Sequence, residues 1–185
     1  YKSQALDNFI AEHGLKPVMA VNTHGHFDHT LGVEHLKQRY GIPFALSSKD
    51  RFLLDNAATS GSVFGVKIGA MPAADLDLDT TPEIRFGHTV MRVIHTPGHT
   101  PGSVVLLCGE HLFCGDTLFA GSIGRTDLEG GSSAQMADSL RKLAQLPIPR
   151  ETQVLPGHGE FSTFGAELDN NYYIRSAVRG GNDIF

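Results

Sequence analysis

Four metal-capable side chains fall within six residues of this chain: His24, His26, Asp28 and His29, in the run Thr23-His24-Gly25-His26-Phe27-Asp28-His29. Neutral imidazole and carboxylate are ligands of borderline divalent metals such as zinc, and Asp28 could also orient a neighbour or accept a proton. Two geometries fit the spacing. In an extended chain His24, His26 and Asp28 alternate onto one face, whereas a tight turn would fan them and His29 around a point. Gly25 permits such a turn without strain. Three further segments each carry one ligand-type residue in a Gly-rich turn just past a strand-like run. They are His99 in Thr96-Pro97-Gly98-His99-Thr100-Pro101-Gly102-Ser103, Asp116 in Gly115-Asp116-Thr117, and His158 in Pro156-Gly157-His158-Gly159. Repetition of strand, glycine turn and ligand would gather all of them on one rim of a sheet edge.

The elements that must position these residues follow from periodicity and punctuation. A helix is expected after an N-cap at Ser3, with Leu6, Phe9 and Ile10 as its apolar stripe and Gly14 as its stop. Val18 to Asn22 reads as a buried strand that delivers the histidine cluster at its C-terminal end, where ligand sites of open α/β sheets lie. Helices are expected from Leu31 to Tyr40, closed by Gly41, and from Lys49 to Ala57, with a short strand at Phe44 to Ser47 between them. Thr59 to Pro82 reads as loop. Within it, Asp75-Leu76-Asp77-Leu78-Asp79 lacks the Gly and the distant Glu of a calcium loop. Val90 to Ile94 is a strand, Val104 to Leu107 and His111 to Cys114 a hairpin, and Ser133 to Leu146 an amphipathic helix stopped by Pro147. Val154-Leu155 is a last strand, followed by a helical tail after Thr163. Strands cluster in two groups interleaved with helices, which points to two sheets with helices outside.

A length of 185 residues, with 41% hydrophobic and 19% charged residues, suits one domain, residues 1–185, around a single core. The net charge of −5 and the absence of a basic run argue against a nucleic-acid surface. No apolar stretch approaches the roughly 20 residues of a membrane span. Cys108 and Cys114 flank a hairpin tip in which Cys108 faces His111, out of register for a disulfide. Free thiols suit a reducing compartment, so a cytoplasmic location is expected.

With its ligand set His24, His26, Asp28, His29, His99, Asp116 and His158, the chain resembles the metallo-β-lactamase superfamily from about Val18 to His158. The resemblance implies an α/β fold, an αββα sandwich of two mixed sheets flanked by helices, with two divalent metal ions between the sheets. Zinc is the first expectation, with iron or manganese as alternatives. His24, His26 and His99 would hold one ion, Asp28, His29 and His158 the other, and Asp116 would bridge them. Such a pair can share a water and depress its pKa towards neutrality, giving a bridging hydroxide that attacks an acyl carbon. Asp28 and Asp116 are then the catalytic carboxylates. True β-lactamases commonly carry Cys where Asp116 stands, which counts against a lactam substrate.

Within the superfamily the chain is most similar to the glyoxalase II group, thioester hydrolases acting on hydroxyacylglutathiones. His95-Thr96-Pro97-Gly98-His99-Thr100 and Gly115-Asp116-Thr117-Leu118-Phe119 match that group, and Gly121-Ser122-Ile123-Gly124-Arg125-Thr126-Asp127 resembles its short bacterial branch. The expected partner is a small-molecule thioester, with no nucleic acid and no membrane, and the oligomeric state is left open. Two departures are noted. The C-terminal helical domain that supplies much of the glutathione pocket has no counterpart in the 27 residues after His158. Strands usually preceding the first helix have none either, so the true N-terminus is expected to be missing.

Phe119 and Arg125 are candidate substrate contacts, although Arg125 could equally brace Asp127 or Glu129. Tyr172, Tyr173 and Arg175 could wall a substrate site, but helix packing is the simpler reading. His13, His35, His88, His95 and His111 are read as surface or hydrogen-bonded residues, His95 being placed to support the His99 turn. Two other readings stand beside the hydrolase. One is a mononuclear iron persulfide dioxygenase of the same fold, using His24, His99 and Asp116. The other is a metal-binding module without catalysis. A ribonuclease is disfavoured by the acidic charge.

Overall fold

The computed structural model describes residues 2–180, the side chain of Lys2 excepted. Helix α1 (Lys2–Glu12) leads through an extended stretch into strand β1 (Ala20–Val21). Ser3 therefore lies inside the first helical turn rather than capping it, a one- to two-residue difference of the kind helix ends show. Helices α2 (Phe27–Thr30) and α3 (Val33–Tyr40) follow, and α3 ends as expected at Gly41, whose φ of 65° forms the left-handed cap. Strand β2 (Phe44–Leu46) leads into a single 3-10 turn and then helices α4 (Arg51–Asp55) and α5 (Ala57–Val63). Strands β3 (Leu76–Asp77), β4 (Glu83–Phe86), β5 (Thr89–His95), β6 (Val104–Cys108) and β7 (His111–Gly115) come next. Helix α6 (Ser133–Gln145), strands β8 (Gln153–Pro156) and β9 (Ser162–Thr163), and helices α7 (Phe164–Asn170) and α8 (Tyr172–Val178) complete the order.

Three strands pair in parallel as β1-β2-β3, and six form a mixed sheet in the order β4-β5-β6-β7-β8-β9, antiparallel except between β7 and β8. Strand alternation sorts the core into three layers. Ala45, Val93, Val104 and Leu106 point into the space between the sheets, together with Leu78 and Ile84. Phe44 and Leu46, next to Ala45 in β2, face the other way and pack with Val33 and Ile42 beneath α3. Ile94, Val105, Leu112 and Cys114 face outward from the larger sheet onto α6 and α8, where Met136, Leu140, Leu143, Ile174 and Ala177 cover them. The result is helix, sheet, sheet, helix.

Several local outcomes refine the sequence reading. Helix α6 starts after Ser132, whose Oγ accepts from the Gln135 amide at 3.3 Å, and Arg141 Nη1 ties it to the Ala177 carbonyl of α8 at 3.1 Å. Part of the expected loop is helical, because Ile68 folds over Gly61 and closes α5 against the chain. Strands β3, β4 and β9 carried too few apolar positions to be recognised. Cys108 pairs with His111 across the hairpin, and both cysteines are free, Cys114 buried and Cys108 half-buried. None of the described helices is long and apolar enough to cross a membrane.

Candidate metal centre

The ladder of β1 runs on into Asn22, whose amide donates to the Ala45 carbonyl, and the Thr23 carbonyl accepts from Val104 of the other sheet. The segment carrying the first histidines is thus pinned to both sheets as it leaves the sandwich. His26 caps α2 in an extended conformation, and Asp28 and His29 lie on that helix's single turn. Of the two geometries open to the spacing, the turn is the one adopted. The role of Gly25 differs from the expected one. It needs no unusual backbone angle; instead a Cβ there would stand 2.9 Å from both the Cβ and the carbonyl oxygen of Asp50.

All seven candidate ligands converge. Ligand atoms of His24, His26 and His99 lie within 4.8 Å of one another, as do those of Asp28, His29 and His158 and those of His24, His29 and Asp116. His26 Nδ1 is 2.8 Å from His99 Nε2, and His29 Nε2 is 3.2 Å from His158 Nε2. Asp116 stands between the two groups, with Oδ2 3.4 Å from His99 Nε2 and 3.6 Å from His158 Nε2, and Oδ1 3.4 Å from His29 Nε2. Asp28 Oδ2 reaches His158 Nε2 at 3.2 Å. Glycine is required at position 157 as well, where a Cβ would meet Asp116 Oδ1 at 2.4 Å.

The donor set fits metal ions. His24 Nε2 is buried with no hydrogen-bond partner, and so is Asp116 Oδ1. Buried polar atoms rarely go unpaired, and two facing one cluster are what a cation would satisfy. His99 Nδ1 lies 2.7 Å from the Arg125 carbonyl and must donate to it, which leaves the Nε2 lone pair facing the cluster. His24 Nδ1 similarly meets Thr23 Oγ1 at 3.2 Å.

Burial, reinforced by the neighbouring imidazoles, holds His24 well below the ordinary histidine range. Burial and then His99 push His26 down to about 4, against the opposing pull of Asp28. Burial also lowers His29, although Asp116 and Asp28 oppose it. These rings are neutral at pH 7, the state that binds metal. The unfolded chain takes up protons on these rings below about pH 6.5 while the fold resists. Stability of the chelated protein should therefore fall as pH drops below about 6.5, with the His26 contribution lost progressively down to about pH 4. A melting temperature in chelator that stays flat from pH 7 to pH 5 would contradict this.

Asp50, to which no local sequence pattern points, lies fully buried behind the cluster. Its Oδ2 accepts from the Gly25 amide at 2.8 Å and Thr100 Oγ1 at 2.7 Å, and its Oδ1 from the Gly102 amide at 2.7 Å. One carboxylate thereby joins the loop of His24 and His26 to the loop of His99. A Cβ on Gly102 would sit 2.6 Å from Asp50 Oδ1, so a glycine allows the approach on that side too. Burial raises the Asp50 carboxyl despite these hydrogen bonds.

A cleft of about 770 Å3 opens onto the centre, bordered by His26, Asp28, His99, Asp116 and His158. Phe119 and Arg125 are among the residues that line it. Arg125 is braced by Asp127, which accepts from its Nε and Nη2 at 2.6 Å each. Tyr172 is exposed and Tyr173 packs on the α6 core, and neither they nor Arg175 lines the cleft. His95 turns away from His99 towards Asp79, 3.7 Å distant, so the support of His99 comes from the Arg125 carbonyl instead. Asp75, Asp77 and Asp79 are occupied by Lys37 and the Phe44, Ser48 and Asp79 amides, and by Ser47, Ser48 and Lys49.

The Metallo-beta-lactamase superfamily model matches residues 4–158. The probable metallo-hydrolase YqgX of Bacillus subtilis is 34% identical over 173 residues, 91% of this chain and 81% of that protein. The hydroxyacylglutathione hydrolase GloC of Haemophilus influenzae is 31% identical over 179 residues, 95% of this chain and 84% of that one. Among solved structures, the BLEG-1 B3 metallo-beta-lactamase superposes with a TM-score of 0.85 at 37% identity, covering 93% of this chain and 84% of its own. TTHA1623 in a di-iron-bound form gives 0.82 at 34%, covering 92% and 84%. ETHE1 from Myxococcus xanthus gives 0.76 at 28%, covering 98% and 72%.

Proposed function

Because the chain belongs to the metallo-β-lactamase superfamily, we propose that it is a dinuclear metal-dependent hydrolase of thioesters, the class to which hydroxyacylglutathiones belong. The observation that carries this reading is the second complete triad. Asp28, His29 and His158 converge beside the first group, which a single-ion site would not need. The likeness to GloC supports the thioester, and the di-iron form of TTHA1623 supports a paired centre.

In this reading His24, His26 and His99 hold one ion, Asp28, His29 and His158 the other, and the two oxygens of Asp116 face both. Two divalent ions there would supply a water ionised near neutral pH and polarisation of the acyl carbonyl. The chain's own residues do the rest. The Arg125 carbonyl fixes the tautomer of His99. Asp28, partly open to the cleft, can hold the proton released from the attacking water at its carboxylate and return it to the departing thiolate. Phe119, its ring 6.3 Å from that of His158, shields the reacting carbonyl from bulk water. The C–S bond breaks, a C–O bond forms, and the products are an acid and a thiol. The proposed partner is a small molecule alone.

Metals per chain, thiol release from a thioester panel and oxygen uptake with glutathione persulfide test this together. Two ions per chain, of zinc, iron or manganese, with chelator-sensitive thiol release and no oxygen uptake, is the expected result. One iron per chain with oxygen consumption would replace the hydrolase by a persulfide dioxygenase. Lactam opening without thioester cleavage would replace the substrate.

A further inference from the structure

The walls of the cleft differ in kind from its floor. Phe27 of α2, Leu53 of α4, Val63 at the end of α5, Phe64 just beyond, Phe119 and Leu128 give the cleft its apolar lining. The ring of Phe64 lies 5.6 Å from that of Phe27, yet Phe64 remains 71% exposed and Val63 76% exposed. Large side chains left this open beside a metal-binding floor have a wet apolar face that a ligand could cover. Charge points the same way. Apart from the candidate ligands, the charged residues lining the cleft are Arg125 and Glu129, and Arg125 already holds Asp127 in a two-point pair. Arg125 is thus the one cation of this lining besides the candidate ligands, its charge is already shared with Asp127, and Glu129 would repel a substrate carboxylate.

We infer that the acyl half of the substrate is an uncharged hydrocarbon chain of several carbons, lying along Phe27, Leu53, Val63 and Phe64 with its carbonyl over the metal centre. This rests on the hydrolase reading and narrows it: the acyl group is selected by burial of methylenes rather than by ion pairing. Each buried methylene improves transfer from water by about 0.8 kcal/mol, three- to fourfold in an equilibrium or rate constant.

Two measurements separate this inference from the reading beneath it. The first is kcat/KM for S-acyl-N-acetylcysteamines from acetyl to octanoyl, together with S-lactoylglutathione. The second is calorimetric titration of the metal-loaded protein with acetate, butanoate, hexanoate and octanoate. Both use the native chain and the double variant Val63→Ser with Phe64→Ser, whose exposed positions spare the core. In the native chain kcat/KM and affinity should climb about threefold per methylene until the wall is covered, and the variant should flatten both slopes. Thioester cleavage with no dependence on chain length, or a preference for S-lactoylglutathione over octanoyl, would overturn the inference and leave the hydrolase standing. Alkanoate affinity that climbs with length while no thioester is cleaved would do the reverse.

Discussion

Replacing Asp28 with alanine is expected to lower the metal content from two ions per chain to one and to cut thioester turnover by about a hundredfold or more. The geometry makes this substitution selective. Asp28 Oδ2 is 3.2 Å from His158 Nε2 and 3.5 Å from His29 Nε2, and Asp28 takes no part in the group formed by His24, His26 and His99. Its side chain is 43% exposed, so its loss removes no core contact and the melting temperature of the chelated protein should hardly move. Asp116→Ala should be less selective, because Asp116 approaches His29, His99 and His158 together. Plasma mass spectrometry and thiol release on the two variants test the assignment. Full turnover by Asp28→Ala with one ion bound would show that the first group suffices, and would end the dinuclear reading.

Asp50→Ala carries the largest expected cost in stability, about 3–5 kcal/mol. The carboxylate collects three hydrogen bonds at a fully buried position, and its removal strands the Gly25 and Gly102 amides where water cannot reach them. For a chain of this length that corresponds to a melting-temperature drop of roughly 6–20 °C. A second effect distinguishes positioning from mere stability. Asp50 touches none of the ligand atoms, yet it fixes the loops of His24, His26 and His99 against each other, so affinity for the first ion should weaken about 10- to 100-fold at temperatures where the variant is folded. Asp50→Asn should retain part of both, since its amide group must face one of the two backbone N–H donors. A variant that melts lower but binds metal as before would reduce Asp50 to a core group.

The candidate ligands were legible because their chemistry is local. His24 to His29 crowd into one turn, and His99, Asp116 and His158 each follow a strand and precede or adjoin a glycine, so type and spacing sufficed. The layered fold was legible in outline through strands such as Val104–Cys108, an unbroken apolar run bounded by turn residues. What escaped was set by tertiary contact. Asp50 matters through amides that lie 25 and 52 positions away along the chain, and no local pattern announces that. Beyond its two leading alanines, helix α5 is built from Thr, Ser, Gly and Val, which have weak helical preference, and Ile68 closes over Gly61 to complete it. The apolar wall went unseen for the same reason: Val63 and Phe64 looked like loop residues until the helix brought them beside Phe27. Gly25 was read for its freedom, while the fold uses its lack of a side chain.

The four segments that meet at the centre are far apart along the chain: 73 positions separate His26 from His99 and 129 separate His29 from His158. Ions held there would act as staples, closing long loops much as disulfides do, in a protein whose two cysteines are free. By chain-entropy reasoning each such closure removes about 4–5 kcal/mol of freedom from the unfolded state, for as long as the ion stays bound. Because the staple is reversible, its strength depends on free metal concentration, and stability would rise with the logarithm of that concentration once the site is mostly filled. Metal supply would thus govern how long the chain survives proteolysis as well as how fast it turns over.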